Sequence, residues 1–397
     1  MAGNLTAMIA AAFAGSAVVS DPYYEYTTLL LPGNGTNGAQ NNTFLDASTN
    51  NFTITRNGNT TQGTFSPFSQ TGWSGSFNTS TTYLTVTDTS NLRFGSSNFT
   101  IEAFVYRAAS GATQTIASKG ASTPTGWVFQ ISSADKLVFT DTSTSITGAT
   151  SLAANTWYYV AVVRAGTGSN QTTLYVNAVS DATGTSATTF SQTDNMKIGA
   201  DRSNTNFANG YISNLRLSNT NRTISSTPTS ALAADSNTIF LGLYNNRFQY
   251  TDSTAAFTNM TVTGTPSVQA FSPFNPTSSW SAVTNGGSGY FDGSGDYLTI
   301  PANTAINFGT GDFTVEAWVY PTATPGDGGG PLAGVTGNIL FTYQAAGNTW
   351  GFGRNFVAWD TLFNQAPILN TWQHIAVSRS GTLLRCFFNG KLVNSAT

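Results

Sequence analysis

Apolar and polar side chains alternate in short runs along this chain. Over residues 99–106, Phe99, Ile101, Ala103 and Val105 take every second position, which puts them on one face of a strand. Residues 83–86, 127–131, 137–139, 157–163 and 174–176 are also short and rich in β-branched and aromatic residues. Clusters of Gly, Asn, Asp, Ser and Thr separate them. No stretch keeps a 3.6-residue period over a helix length. Gly168-Ser169-Asn170 marks a hairpin, and Asn177-Ala178 and Asn389-Gly390 mark turns after strands. The pattern predicts an all-β fold of sandwich or jelly-roll type.

The strand pattern then repeats. Ser97-Asn98-Phe99-Thr100-Ile101-Glu102-Ala103-Phe104-Val105-Tyr106 returns as Gly311-Asp312-Phe313-Thr314-Val315-Glu316-Ala317-Trp318-Val319-Tyr320. Tyr83-Leu84 returns as Tyr297-Leu298, Asn155-Thr156-Trp157 as Asn370-Thr371-Trp372, and Phe65-Ser66-Pro67-Phe68 as Phe271-Ser272-Pro273-Phe274. The spacing, roughly 210 residues, is that of a whole domain and too long for a solenoid unit. The expected organisation is an N-terminal arm at 1–25, one domain at 26–225, a linker at 226–237 containing Thr227-Pro228-Thr229, and a second domain at 238–397. The second copy lacks counterparts of residues 196–200 and 210–217. It is therefore expected to be an incomplete sandwich with open edges, finished by further chain beyond Thr397 or by strands of another subunit.

Composition narrows the function. Charged residues make up 8%, against roughly 25% in ordinary globular domains. Glu occurs only at Glu25, Glu102 and Glu316, and Ser, Thr, Asn and Gly take the polar positions instead. Aromatic residues at 13% supply enough apolar area to argue against disorder. A net charge of −3 without a basic stripe excludes phosphate-led nucleic-acid binding and polybasic membrane attachment. The lone Cys386 allows no intrachain disulfide and sits in an apolar run, which predicts burial. The first twenty residues are Ala- and Gly-rich, with no Lys or Arg before Arg56. They lack the charged leader of a signal peptide and are too short to span a bilayer. A segment docking onto another subunit is the expectation.

The ordered motifs Leu-Leu-Leu-Pro-Gly-Asn-Gly-Thr-Asn-Gly (29–38), Phe-Asp-Gly-Ser-Gly-Asp-Tyr-Leu (291–298), Phe-Thr-Val-Glu-Ala-Trp-Val-Tyr (313–320), Asn-Thr-Trp-Gln-His-Ile-Ala-Val-Ser-Arg (370–379) and Gly-Tyr-Ile-Ser-Asn-Leu-Arg-Leu (210–217) resemble laminin-G-like, concanavalin A-like jelly-roll domains. Asp21-Pro22-Tyr23-Tyr24-Glu25-Tyr26 before the Leu run resembles the tandem domains of virion proteins from marine bacteriophages, notably those infecting cyanobacteria. The resemblance implies two curved antiparallel sheets per domain and roles in glycan binding, adhesion or assembly. Fold alone does not decide among these.

Glu102 and Glu316 each stand alone among apolar strand residues. Glycoside hydrolysis needs two carboxylates about 5–10 Å apart, and the same-face neighbours are Thr100 and Phe104, or Thr314 and Trp318. Both Glu are therefore read as structural, with Arg164 and Arg379 as expected partners. His374, the only histidine, matches Tyr159 in the first copy and is read as packed, since a zinc site or triad would need more ligands. Calcium is the one cofactor left open, with Asp292 and Asp296 in Asp-Gly-Ser-Gly-Asp as its candidate ligands and turn formation as the competing reading. A loop with Asp201, Asn204 and Asn206 is a weaker candidate. Carbohydrate would stack on Trp350 and Trp359, with Arg354 and Asp360 as hydrogen-bonding partners; the alternative is that buried Trp anchors a loop. The expected function is a non-enzymatic structural protein at the surface of a phage particle, as tail fibre, head fibre, collar appendage or capsid decoration. Residues 1–25 would meet other virion proteins, the chain would form a homo-oligomer (a trimer for a fibre), and host-surface glycan is the further partner. A secreted or cell-surface lectin-like protein is the alternative, and a polysaccharide hydrolase ranks third.

Overall fold

Alternation along the Phe99–Arg107 strand sends Phe99, Ile101, Ala103 and Val105 to one face, where all four are buried. Around it the computed structural model, which describes residues 23–33, 44–63, 72–78, 81–121, 125–254, 257–274, 287–324, 331–335, 339–354 and 358–397, builds a jelly roll. Phe99–Arg107 lies between Trp157–Arg164 and Asn209–Ser218, antiparallel to both. The sheet continues through Thr172–Val176 to Val179–Gly184 on one side. On the other it continues through Thr238–Gly242 and Gln249–Thr251 to Thr258–Asn259. A second sheet runs in the order Thr261–Thr263, Tyr83–Val86, Met196–Ile198, Gln114–Lys119, Trp127–Ile131, Lys136–Thr140, Ser145–Ser151. Phe99 of the first sheet meets Phe139 of the second at 5.8 Å between ring centroids.

Arg164, expected beside Glu102, is instead fully buried against the rings of Phe99 and Phe190, at 4.7 and 4.9 Å. Its guanidinium donates to the carbonyls of Gly95, Ser97 and Thr188. Burial pulls it down to about 10. The reason is alternation: Arg164 stands three residues from Ala161, the cross-strand neighbour of Glu102, so it points to the opposite face.

These strands belong to one compact unit, Thr71–Asn275; Met1–Gln70 together with Pro276–Thr397 forms the other. The division differs from the sequence expectation. Thr238–Gly242, read as the start of the second copy, pairs with Asn209–Ser218 and buries Ile239, Phe240 and Leu241. The expected linker at 226–237 lies within this unit. It is tied down by Arg216 Nη1 donating to the Ala233 carbonyl, Leu232 N–H donating to Asn214 Oδ1, and an Arg222–Asp235 ion pair.

In the other unit, Phe313–Val319, Gln373–Ser380, Leu383–Phe388 and Lys391–Ala396 form one sheet. Pro331–Val335, Ile339–Gln344, Thr349–Arg354 and Ala358–Leu362 form the second. Phe341, Trp350, Phe352, Phe363, Ile375, Val377, Cys386 and Phe388 are buried between them. The N-terminal part contributes two short strands here. Thr55–Asn57 pairs with Tyr297–Thr299, and Thr61–Gly63 with Ser288–Tyr290. The first unit has the same two pairings, Thr261–Thr263 against Tyr83–Thr85 and Ser267–Gln269 against Ser74–Ser76. The repeated segment thus follows its sheets in one unit and precedes them in the other. Among the described residues, nothing corresponding to Asn209–Ser218 flanks the second edge of Phe313–Val319.

The expected attachment segment falls almost wholly outside the described residues, apart from one 3-10 turn at Tyr24–Tyr26. Among the described residues no helix is long and apolar enough to cross a membrane.

Candidate functional site

Three adjacent strands place three polar side chains on the face of the large sheet that points away from the core. Glu102 stands opposite Ala161 on one neighbour and Arg216 on the other, and Tyr159 stands opposite Phe104. Glu102 is 1% exposed. Its Oε1 accepts from Arg216 Nε at 2.9 Å and Nη2 at 2.8 Å, and its Oε2 accepts from the Tyr159 hydroxyl. Arg222 approaches Oε1 to 3.8 Å and holds Asp235 through two nitrogens. A buried carboxylate needs such partners. Burial, and then the Glu102 charge beside it, keep the Tyr159 phenol protonated far above the usual range. The hydrogen bonds from Arg222 hold Asp235 well below the carboxylate range.

Above this network lies a cavity of about 350 Å³, lined by Glu102, Tyr159, Arg216, Arg222 and the segment running from Thr220 to Pro228. The segment presents Thr220, Thr223, Ser225 and Ser226 hydroxyls beside the apolar Ile224 and Pro228. The volume falls at the lower end of ligand pockets, roughly 300–1,000 Å³. Among the described residues Glu102 is the only carboxylate in the lining; these residues offer hydrogen-bond donors and acceptors, and no acid pair of the kind glycoside hydrolysis uses is found among them.

The second copy keeps part of this arrangement. His374 Nε2 lies 3.3 Å from Glu316 Oε2, with the Glu316 side chain 60% exposed. The hydrogen bond from His374 lowers the Glu316 carboxyl below its ordinary value. Tyr159 and His374 therefore match because each offers a hydrogen-bonding atom to the strand Glu. Arg379, the expected partner of Glu316, donates to the Gly309 and Gly311 carbonyls and packs its guanidinium over Phe313.

The residues expected to bind carbohydrate divide. Trp350 is buried, edge-on to Tyr343. It alternates with Phe352 across Gly351 and Gly353, so an apparently irregular stretch is a core strand and Trp350 presents no stacking surface. Trp359 is 40% exposed, and its ring lies across Gly351, where a Cβ would come within 2.7 Å of it. Asp360 occupies the bulge between Trp359 and Thr361. Arg354 pairs through its backbone with Ala358; its side chain lies outside the described residues.

Asp292 and Asp296 do come together, as a clasp. Asp296 accepts from the Asn59 N–H at 2.6 Å and the Asp292 N–H at 3.0 Å. Asp292 accepts from Ser294 N–H at 2.7 Å and Asn59 Nδ2 at 3.1 Å. Gly58 has φ +67°, and a Cβ there would stand 2.1 Å from Asp296 Oδ1, so the turn admits only glycine. All four carboxylate oxygens accept from protein donors. Asp201 is engaged in the same way by Ser203, Thr205 and Asn206. Among the described residues no three His, Cys, Asp or Glu gather in a metal-binding group.

Arg216 and Arg222 went unnoticed in the sequence. Arg216 stands in a strand whose polar face shows only once its neighbours are known, and Arg222 lies in a stretch without strand character. The one available signal was that Glu102 required a cation.

The family model for the concanavalin A-like lectin/glucanases superfamily matches residues 78–226 and 292–397, more than half of the chain. No curated protein matches the sequence. Among solved structures, a candidate carbohydrate-binding protein from Bacteroides ovatus is 18% identical over 50% of this chain, with a TM-score of 0.38; the chain spans 60% of that protein. A heptameric SAP-like pentraxin from Limulus polyphemus is 13% identical over 41% of this chain and 92% of its own, with a TM-score of 0.32. The CBM40 of the Ruminococcus gnavus IT-sialidase, bound to α2,3-sialyllactose, is 15% identical over 37% of this chain and 89% of its own, with a TM-score of 0.30.

Proposed function

We propose that this chain, which belongs to the concanavalin A-like lectin/glucanases superfamily, is a non-catalytic carbohydrate-binding protein whose site is the cavity above Glu102. The observation that carries the reading is the cavity lining: a carboxylate, two guanidinium groups and five hydroxyl-bearing side chains stand beside Ile224 and Pro228. A sugar presents the complementary mixture, hydroxyls that both donate and accept and a C–H face that needs apolar contact. The Arg216 guanidinium offsets the Glu102 charge and the Tyr159 hydroxyl donates to its other oxygen, which fixes the carboxylate in place to orient a neutral ligand.

The test is a glycan array probed with the full chain, followed by titration of any hit. Ser226 is an exposed wall residue, so Ser226→Trp should fill the cavity with little effect on folding. The expected result is a weakening of at least about tenfold, with Trp359→Ala neutral. An array without hits, or binding indifferent to Ser226→Trp, removes this site.

A second reading makes the same protein an appendage of a phage particle. It draws on the likeness of residues 21–26 to phage virion proteins. Finding the chain in purified particles by mass spectrometry is the corresponding test, and absence from them ends that reading.

A further inference from the structure

The repeated motif Phe271-Ser272-Pro273-Phe274 lies, in Thr71–Asn275, over the face of the large sheet that carries Glu102. Alternation puts Phe104 and Tyr106 on that face too, with Tyr159 opposite Phe104, and Trp157 and Tyr211 opposite Tyr106. Phe274 meets the Phe104 ring edge-on at 5.2 Å between centroids. Phe271 meets Tyr106, Trp157 and Tyr211 at 5.0, 5.4 and 4.8 Å. Their exposure differs: Phe274 is buried, whereas Phe271 is 44% exposed beside three half-buried rings. Apolar packing is continuous from Ile224 in the cavity wall, through Phe104, Tyr159 and Phe274, to Trp157.

We propose that the glycan is an oligosaccharide, held by one sugar in the cavity above Glu102 and by a further sugar stacked on the aromatic cluster around Phe271. This rests on the cavity reading and adds to it the length of the ligand and the direction in which it runs. Glu102 and Tyr106 are four residues apart on one strand, about 13 Å, farther than a single sugar ring reaches. Cavity and cluster therefore serve one ligand only if it is a chain of sugars lying along the strand. The cluster has the mixed character such a ligand needs. Its rings offer apolar surface to a C–H face, and the Tyr106 hydroxyl lies 3.4 Å from Asn155 Oδ1 at the surface, so groups that donate and accept border the rings. The patch is small for a protein partner: four side chains, against the roughly 20–30 residues a side of a stable protein interface.

The probes are linear oligomers of glucose, mannose and galactose, one to six sugars long, titrated calorimetrically into the full chain. Affinity should climb with length and level off once the oligomer spans both places. Phe271→Ala should weaken the longest oligomer that binds by about fivefold or more and leave the shortest as it was. Phe271→Trp, which opens no hole in the cluster, should keep the length dependence; thermal unfolding of both variants checks the fold. Binding that is independent of length yet lost with Ser226→Trp overturns the extended ligand and spares the cavity. Equal weakening of short and long oligomers by Phe271→Ala, or loss of the length dependence with Phe271→Trp, overturns it as well. Binding of none of the oligomers removes cavity and extension together.

Discussion

Glu102 and Glu316 occupy equivalent positions, but their surroundings give them different energetic weight. Glu102 is buried with Arg216 and Tyr159 as partners, so Glu102→Gln leaves a largely buried guanidinium without its counter-charge. Denaturant unfolding should show a loss of about 3–5 kcal/mol. Glu316 is more than half exposed and its contact with His374 lies at the surface; Glu316→Gln should cost less than about 1 kcal/mol. Similar losses at both positions would contradict this account of burial. The sequence reads both residues as structural, because the same-face neighbours lack a second acid. It could not name Arg216, which is 114 residues away in the chain and is brought alongside only by strand pairing.

Among elements, the N-terminal strands depend on a few well-placed groups. Asp46 is buried and accepts from the backbone N–H of Leu30, Ser48 and Phe52 and from the Ser48 hydroxyl, at 2.8–3.0 Å. Burial works to raise its carboxyl, but these donors together outweigh it and hold the group below the ordinary 3.8. A depressed folded-state value means the clasp stabilises fully above the unfolded value, near pH 4, and is lost as pH falls through the folded value. Hydrogen exchange at Leu30, Ser48 and Phe52 should therefore be slow at pH 6 and, as pH falls well below the ordinary carboxylate value, speed up relative to intrinsic exchange; an unchanged ratio would count against the clasp. The pairing partner of these strands is testable as well. Thr55 and Thr299 are cross-strand partners and both exposed, so Thr55→Cys with Thr299→Cys should close a disulfide on mild oxidation. Thr55→Cys with Thr85→Cys, the pair that chain order alone suggests, should not, because Thr85 is opposite Thr261. Cys386 is buried and stays a bystander.

At the scale of the whole molecule, the compact units predict which pieces can stand alone. Thr71–Asn275 contains both sheets of its jelly roll, so this fragment should unfold in one cooperative transition. Residues 276–397 expressed without 1–70 lose the partners of Ser288–Tyr290 and Tyr297–Thr299 and should be markedly less stable or aggregate, through newly exposed strand edges. Equal stability of residues 276–397 with and without the N-terminal part would refute this division. What the sequence by itself determined is local. Period-two alternation, turn residues and the duplicated motif predict an all-β duplicated chain and the inward set at Phe99, Ile101, Ala103 and Val105. These follow from neighbours a few residues apart, or from words that recur. The tertiary structure alone decided which segment completes which sheet, that Trp350 is core, that the segment from Thr220 to Pro228 forms a cavity wall, and that Glu102 is buried while Glu316 is exposed. Each of those depends on hydrogen bonds and burial between residues far apart in the chain, and a repeated segment lying between two equivalent sheets satisfies the same local rules whichever one it joins.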